Sequence, residues 1–446
     1  MAPRVIRAFR VCSVACLVCV SSPVPGRQPT GGAASLRAPD VLWLGRRLAK
    51  FADDLPDPAR LGVAEIVAYE ENKHFAYLRG TGPAGDRRVL LCKPGALLVD
   101  DHPKRPGPWR LLGRQARTLG KTGFAVTEAG GTVTGWALLP KGPALRVSLA
   151  DGGVTVTGLG NPAPRFVQVL HVGDGAAKEA NCKLSQAGDV VTLTHTAPDR
   201  TYTVSLPADP NRPGTIAVAG SGGKALLARR LLPAGVMPHG KKGVAMLERW
   251  DGAYRRNHLP GWDVGRPASE LQKAVQAGTL KPGRAVVLGC GTGTNAIHLA
   301  QRGFTVTGID VAPTALALAE RKAEKAGVRV TWLVADVLAP PPLEPFDVIF
   351  DRGCYHGVRR VSAAGYMKTV NALSRPGTLM LLLAGNANQS ARGGPPRVDE
   401  PELVGDFAKT WDFVSLREAR FDSRDPNRKS GAWMWAALLR RRPQSE

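Results

Sequence analysis

Hydrophobic and polar positions follow different patterns in the two halves of the chain. From about residue 40 to residue 232, short runs rich in β-branched residues recur between Gly, Pro and Asp turns. Regularly spaced strands of this kind predict an all-β sandwich. The predicted strands are Val63–Tyr69, His74–Arg79, Arg88–Cys92, Ala96–Asp100, Thr132–Leu139, Leu145–Ser148, Val154–Thr157, Phe166–His171, Val190–His195, Tyr202–Leu206 and Thr215–Ala219.

From residue 246 onward, apolar runs alternate with stretches of helical periodicity. Ala285–Leu288 predicts a buried strand that ends in the glycine-rich segment Gly289–Gly293. An amphipathic stretch follows, and Phe304–Ile309 predicts a second strand that ends at Asp310. This succession is a βαβ unit with a glycine-rich first turn.

The glycine-rich turn and Asp310 are suited to a nucleoside-type ligand. Glycines let the backbone approach a ligand closely, and an acid that closes the second strand can accept hydrogen bonds from a ribose diol. The pattern Gly291-x-Gly293-x-x-Ala296 also fits dinucleotide-binding proteins, so the βαβ unit alone leaves the nucleotide open.

The rest of the C-terminal half completes a predicted open α/β sheet of seven strands. Two further acids follow predicted strands: Asp336 follows Arg329–Val334, and Asp351 follows Phe346–Phe350. The remaining predicted elements are a helix at Ala363–Leu373 and strands at Thr378–Ala384, Trp411–Phe421 and Ala432–Leu439. Ligands of such sheets bind at the carboxyl ends of the strands, where these acids stand.

The spacing Gly289-x-Gly291-x-Gly293 resembles motif I of class I S-adenosylmethionine-dependent methyltransferases. Trp262-Asp263 and Arg266-Pro267 further resemble the thiopurine S-methyltransferase and tellurite-resistance-like branch of that fold. The resemblance implies that residues 246–446 form a Rossmann-like methyltransferase domain that binds S-adenosylmethionine. It also implies that a tryptophan lies against the donor, whose sulfonium an indole face stabilises by about 0.5 to 2 kcal/mol.

The resemblance also implies a set of site residues. The predicted cofactor-binding residues are Trp262, Gly289, Cys290, Gly291, Gly293, Asp310, Val311, Asp336 and Val337. Asp351 and His356 are the candidate catalytic residues, with His356 a possible general base. Two departures stand out: Asn295 replaces an acid found in many relatives, and Arg397 follows Gly394-Pro395-Pro396 where an aromatic residue is usual. The arginine favours a small or anionic acceptor over a thiopurine.

Three functions remain open at the level of sequence. Methyl transfer to a soft nucleophile (a thiol, selenium or tellurium compound) needs no strong base and fits the absence of an obvious Lys or Glu dyad. A carbohydrate-binding protein with a silent or glycan-modifying methyltransferase half is the alternative. A nicotinamide oxidoreductase is the third, and the context of Trp262 argues against it.

The carbohydrate alternative comes from a second resemblance, in the N-terminal half. Tyr77–Gly80, Lys93-Pro94-Gly95 and Leu138-Leu139-Pro140 resemble the C-terminal β-domain of heparinase II/III-type polysaccharide lyases. No long helical region precedes it, so the resemblance implies an accessory sandwich without lyase activity. His171 and His195 are interpreted as structural histidines.

Composition adds constraints on partners and location. The 446 residues include 60 Lys and Arg and 37 Asp and Glu, a net charge of +23, but no aromatic-interleaved basic stripe indicates a nucleic-acid partner. No cysteine spacing indicates a zinc site.

Residues 1–35 resemble an export signal whose apolar core is too short to span a membrane. Because the methyl donor is made in the cytoplasm, export and enzyme activity conflict. A Pro/Gly/Lys linker is predicted at residues 233–245.

Overall fold

The computed structural model describes residues 35–48, 54–93, 95–105, 107–139, 145–150, 153–157, 165–172, 181–256, 258–388, 395–424 and 431–443. Residues 1–34 of the predicted leader, and Gly394, lie outside this set. In the described part of the chain, no helix is both long enough and apolar enough to cross a membrane.

The N-terminal half is built almost entirely of strands, and each of the eleven predicted runs overlaps one of them. Its described helices are α1 (Ala38–Leu48) and two short 3-10 helices, Pro58–Leu61 and Ser221–Gly223. The strands are β1 (Ser35–Arg37), β2 (Glu65–Glu71), β3 (Phe75–Gly82), β4 (Gly85–Cys92), β5 (Ala96–Pro103), β6 (Trp109–Leu112), β7 (Gln115–Leu119), β8 (Gly123–Glu128), β9 (Gly131–Leu139), β10 (Arg146–Ala150), β11 (Gly153–Thr157), β12 (Phe166–Val172), β13 (Cys182–Ala187), β14 (Val190–Thr196), β15 (Arg200–Pro207), β16 (Thr215–Gly220) and β17 (Ala225–Leu231).

These strands form three sheets. The largest is antiparallel and has the order β2-β3-β4-β5-β12-β9-β8-β7. A four-stranded sheet, β1-β6-β11-β10, and a five-stranded sheet, β13-β14-β15-β16-β17, accompany it.

The eight-stranded sheet is buried on both faces. On β3, Phe75 and Tyr77 belong to a hydrophobic cluster shared with the five-stranded sheet. Ala76 and Leu78 belong to a second cluster, shared with α1 and the four-stranded sheet. Since successive side chains of a strand point to opposite faces, this sheet lies between two cores. Three layers therefore stand where the sequence pattern predicted a two-sheet sandwich.

A buried charge cluster lies at the centre of the eight-stranded sheet. The Asp100 carboxylate is fully buried and lies 2.7 Å from both Arg88 and Arg165. His102 Nε2 lies 3.1 Å from Asp100 Oδ1. Burial alone would raise the pKa of Asp100, but Arg88, His102 and Arg165 together hold it far below its ordinary value.

The C-terminal half is an α/β unit. Its helices are α2 (Gly240–Tyr254), α3 (Ser269–Gln276), α4 (Thr294–Gln301), α5 (Pro313–Lys325), α6 (Tyr355–Ala372) and α7 (Glu400–Phe407). Its strands are β18 (Arg284–Leu288), β19 (Thr305–Asp310), β20 (Thr331–Val334), β21 (Phe346–Arg352), β22 (Ser374–Gly385), β23 (Trp411–Arg420) and β24 (Trp433–Arg441). The sheet order is β20-β19-β18-β21-β22-β24-β23. The first five strands are parallel, and β24 is antiparallel to both of its neighbours, β22 and β23.

The predicted linker is not a free tether. Leu232, Ala234 and Met237 are buried, and α2 already begins at Gly240. The segment makes backbone hydrogen bonds in both directions: Ala234 N donates to Val334 O at 2.9 Å, and Met237 N donates to Tyr69 O at 2.8 Å. The apolar residues among the prolines and glycines of this segment therefore join the two halves.

Candidate functional site

The glycine-rich turn connects β18 to α4 and lies at the carboxyl edge of the parallel strands. Gly289, Gly291 and Gly293 have φ values of +59°, +54° and +77°, in the left-handed region that favours glycine. A Cβ on Gly291 would lie 3.1 Å from the Tyr254 hydroxyl, and one on Gly293 would lie 2.5 Å from the Trp332 ring. Gly291 thus keeps space open beneath Tyr254, whereas Gly293 allows the start of α4 to pack on the sheet.

Asp310, at the end of β19, is attached to this turn. Its Oδ2 accepts a hydrogen bond from Gly291 N at 2.7 Å, and its Oδ1 accepts one from Ala312 N at 2.8 Å. Burial raises the pKa of Asp310 to about 6, although these two hydrogen bonds oppose the rise. A carboxylate has about four lone-pair sites, so each oxygen retains capacity for a ligand hydroxyl.

An aromatic group from the segment before β18 covers the turn. Trp262 Nε1 donates to the Tyr254 hydroxyl at 3.0 Å, and the Trp262 ring meets Trp250 edge-on at 5.9 Å. The helix α2 that carries Tyr254 is fixed by Asp251, whose carboxylate accepts hydrogen bonds from the backbone N and hydroxyl of Thr314 at 2.7 and 3.0 Å. Burial, followed by the charge of Asp310, raises the pKa of Tyr254, which therefore stays a neutral hydroxyl.

A pocket lies between this aromatic group and the turn. It is lined by Tyr254, Trp262, Asp263, Val264, Arg266, Val287, Leu288, Gly289, Cys290, Gly291, Thr292, Thr294, Asn295, Phe350 and Arg352. Four of the predicted cofactor-binding residues therefore share one pocket: Trp262, Gly289, Cys290 and Gly291.

The other predicted cofactor residues lie near the pocket without lining it. Asp310 is connected to it through Gly291, and Val311 follows directly in the chain. Asp336 follows β20 at the same edge of the sheet, where its Oδ1 accepts from Leu338 N at 2.9 Å and burial raises its pKa. Val337 is buried at 4% exposure and belongs to a hydrophobic cluster. Their roles toward the donor stay predictions.

Asp351 has a structural position that argues against the predicted catalytic role. The side chain is fully buried at the end of β21, beneath α6. Its carboxylate accepts hydrogen bonds from Cys354 N at 2.9 Å, Tyr355 N at 3.0 Å and the Tyr366 hydroxyl at 2.6 Å. Burial raises its pKa to about 6. Asp351 therefore holds the start of α6 in place and does not line the pocket.

His356 is likewise unsuited to act as a general base. Its Nδ1 accepts a hydrogen bond from Gly385 N at 2.8 Å, so the neutral ring carries its proton on Nε2. Burial, together with the charges of Arg352 and Arg360, lowers its pKa to about 4. The only lone pair of the neutral ring is occupied by this hydrogen bond, which argues against a general base at this position, and the catalytic role of His356 stays a prediction.

The pocket contains two arginines for which the sequence motifs had suggested no role. Arg352 Nη1 donates to Trp262 O at 3.0 Å, and its guanidinium lies 5.2 Å from the centre of the Phe421 ring. Arg266 Nη2 donates to Ser423 O at 2.8 Å. Asp263 is the acidic residue in the lining, and its carboxylate accepts from Gly265 N and the Thr292 hydroxyl. Arg352 directly follows Asp351 in β21, and this basic residue was the sequence signal that could have indicated a role in the pocket. The direction of its side chain toward the pocket depends on tertiary packing.

Comparison with known proteins places the C-terminal half among methyltransferases. Residues 245–439 match the thiopurine S-methyltransferase family. The chain is 32% identical over 165 residues to the 2-heptyl-1-hydroxyquinolin-4(1H)-one methyltransferase of Mycobacteroides abscessus, covering 36% of this chain and 72% of that one. It is 29% identical over 152 residues to the probable thiol methyltransferase 2 of Arabidopsis thaliana, covering 33% of this chain and 65% of that one. It is 29% identical to the thiocyanate methyltransferase 1 of Brassica oleracea, covering 41% and 83%.

Two solved structures are also similar to part of the chain. One comes from work on the conversion of a disulfide bond into a thioacetal group during echinomycin biosynthesis; it is 27% identical with a TM-score of 0.40, covering 45% of this chain and 93% of that one. The other is the 1,6-didemethyltoxoflavin-N1-methyltransferase of Burkholderia thailandensis with bound S-adenosylhomocysteine, at 19% identity and a TM-score of 0.36, covering 45% and 89%.

The glycine-rich turn, the acid after β19 and these relatives define an S-adenosylmethionine-dependent methyltransferase. The chain belongs to the methyltransferase family that includes the Mycobacteroides abscessus enzyme. The pocket fits the donor: Gly291 leaves space that a Cβ would fill, and the Trp262 ring is available to a cation at 49% exposure.

Proposed function

We propose that the enzyme methylates a small, soft, anionic nucleophile such as a thiolate. The observation that carries the proposal is the composition of the pocket. Two arginines line it, and no histidine, lysine or glutamate does so among the described residues. The two candidate bases, Asp351 and His356, are buried and occupied by hydrogen bonds. An acceptor that is already ionised at neutral pH needs no base.

When bound, S-adenosylmethionine supplies a methyl group carried on a sulfonium. Arg266 and Arg352 supply the positive potential that attracts an anionic acceptor to the same pocket. Trp262 offers an aromatic face to a cation, and its position is fixed by the hydrogen bonds to Tyr254 and Arg352. Catalysis in such a site comes mainly from alignment of the two partners, because the thioether that leaves is neutral.

The relatives support this proposal and also supply the second candidate. Two of them are named for thiol or thiocyanate methylation, both of which involve sulfur acceptors. The Mycobacteroides abscessus relative is named for a hydroxyquinolinone, so a hydroxylated heteroaromatic acceptor is the alternative. A hydroxyl acceptor would need a base or a lowered pKa of its own.

The test is a methyl-transfer assay of the full chain with matched acceptors, read by mass spectrometry of the product. We expect S-methyl products from an aryl thiol and from thiocyanate, and slower reaction with the corresponding phenol and with a hydroxyquinolinone. Arg266→Gln, which alters the lining arginine that donates to Ser423 O and not to Trp262, should raise KM for the anionic acceptor at least tenfold and leave donor affinity within about threefold. Arg375→Gln, which alters an arginine paired with Asp347, is the matched control. Preference for the hydroxyquinolinone would favour the second candidate.

We also propose three assignments that concern the fold and location of the protein. The order of the seven C-terminal strands supports a class I methyltransferase arrangement. The N-terminal sheets are proposed to be a relative of the heparinase II/III β-domain with a carbohydrate partner, which a glycan array on the full chain would test. We also propose that the enzyme acts in the cytoplasm, where its donor is made. Cell fractionation would decide this.

A further inference from the structure

Three side chains with metal-binding atoms meet between two sheets of the N-terminal half. His171 lies on β12 of the eight-stranded sheet, and Cys182 and His195 lie on β13 and β14 of the five-stranded sheet. Cys182 and His195 are direct partners across the antiparallel pair. The ligand atoms of all three residues lie within 4.8 Å of one another.

The spacing of these atoms is close to that of a metal site. Cys182 Sγ lies 3.3 Å from His195 Nδ1. In a tetrahedral zinc site, bond lengths of about 2.3 Å to sulfur and about 2.0 Å to nitrogen place neighbouring ligand atoms about 3.4 Å apart. The remaining separations are no more than 4.8 Å, so they must shorten by at most about 1.4 Å on binding.

His171 is the second observation that points to a ligand. Its Nε2 is buried and has no hydrogen-bond partner among the described residues. Buried polar atoms are rarely left without a partner, and an absent ion is one of the usual reasons. An imidazole nitrogen that carries a lone pair and no proton is the atom through which histidine binds a metal ion.

Neighbouring aromatic rings hold the two imidazoles in place. His171 meets Trp136 edge-on at 5.7 Å, and His195 stacks on Tyr202 at 6.1 Å. Tyr202 is itself fixed by a hydrogen bond from its hydroxyl to His74 O at 3.0 Å. Orientation of ligand side chains by surrounding groups is a regular feature of protein metal sites.

We propose that His171, Cys182 and His195 bind one thiophilic transition-metal ion, for which Zn²⁺ is the probe, and that the ion links the two sheets. Imidazole and thiolate are the ligands that Zn²⁺ prefers, and three protein ligands leave a fourth position for water or a small anion. On binding, Cys182 loses its thiol proton to solvent while both imidazoles enter as neutral groups. No electron transfer is involved.

The test uses the full chain after treatment with a chelator. Titration with Zn²⁺, followed by elemental analysis of the dialysed protein, should give one equivalent per chain. Co²⁺ in place of Zn²⁺ should give a thiolate-to-metal absorption band. Zn²⁺ should also raise the unfolding midpoint, because it binds the folded state. Cys182→Ser and His195→Asn should each lose the bound equivalent and the absorption band.

Two controls separate the site from other thiols and imidazoles. Cys92→Ala alters another buried cysteine of the same hydrophobic cluster, and His298→Asn alters a buried histidine of the methyltransferase half whose Nε2 also lacks a partner among the described residues. Both should retain one Zn²⁺. Donor binding by Cys182→Ser should equal that of the wild type, which shows that the variant's methyltransferase half remains folded.

If the variants fail to fold, X-ray absorption at the zinc edge of the wild type decides the question. One sulfur and two imidazole nitrogens in the first shell support the site. A shell of nitrogen and oxygen alone, less than one equivalent of bound metal, or equal binding by Cys182→Ser overturns the proposal.

Discussion

Gly291→Ala should separate the cost of backbone strain from the loss of the donor site. Gly291 has a φ of +54°, and an L-residue in this region costs about 1 to 2 kcal/mol. The new Cβ would lie 3.1 Å from the Tyr254 hydroxyl, so Tyr254 must move by a few tenths of an ångström. That movement strains the hydrogen bond from Trp262, which is worth about 1 kcal/mol.

The expected result has two parts, measured on the full chain. The unfolding midpoint should fall by about 2 to 8 °C, because the strain is about 1 to 2 kcal/mol and each kcal/mol lowers the midpoint by roughly 2 to 4 °C. The dissociation constant for S-adenosylmethionine, measured by calorimetric titration, should rise at least tenfold, which corresponds to about 1.4 kcal/mol. The dissociation constant rises because Tyr254 moves and because the new Cβ fills space above residue 291.

Gly303→Ala is the matched control. Gly303 also has a positive φ, of +86°, but its Cβ would meet only Pro282, at 3.9 Å. This variant should lose stability through strain and bind the donor normally. Adding Tyr254→Phe to Gly291→Ala removes the atom that the Cβ meets and should recover part of the donor affinity. If Gly291→Ala binds the donor as tightly as Gly303→Ala does, the glycine-rich turn is not part of the donor site.

Three further variants test the buried groups. Asp351→Asn should reduce the pH dependence of stability. The raised pKa of Asp351 contributes stability that is fully present below its ordinary value of 3.8 and is lost as pH rises through about 6. The free energies of unfolding in urea at pH 4 and pH 7 should therefore differ by about 2 to 3 kcal/mol less in this variant than in the wild type. His356→Gln should keep kcat within about threefold of the wild-type value, because no proton passes through His356. A hundredfold fall of kcat in a folded variant would instead support the role of His356 as a general base. Asp100→Asn should lower stability by about 3 to 5 kcal/mol, since buried arginines lose their counter-charge, and an unchanged thermal midpoint would contradict this account of the cluster.

Local patterns were sufficient to predict much of the fold. The βαβ unit around Gly289–Gly293 could be predicted because its strand, turn and helix are neighbours in sequence and each has its own periodicity. The layering of the N-terminal half was less accessible, although β3 carried a signal. Both its odd and its even positions are apolar, from Phe75 to Leu78, as a sheet covered on two faces requires.

The roles of individual polar residues depended on contacts that sequence does not specify. Asp351 and His356 stand where a catalytic group would be expected, but Tyr366 and Gly385, from other elements, occupy their hydrogen-bonding atoms. The cluster of His171, Cys182 and His195 has no motif spacing because its members come from two sheets. Such groupings arise from the packing of distant elements, and no short pattern marks them.

The segment from Leu232 to Met237 has a consequence for how the chain unfolds. Because its backbone is hydrogen-bonded to β2 on one side and to the end of β20 on the other, neither half can open without breaking bonds that belong to its neighbour. The halves should therefore melt together in a single calorimetric transition rather than one after the other. A protease should find no early cleavage site between them, and a fragment that starts at Met246 would lack the first turns of α2 and should be less stable than the same residues in the whole protein.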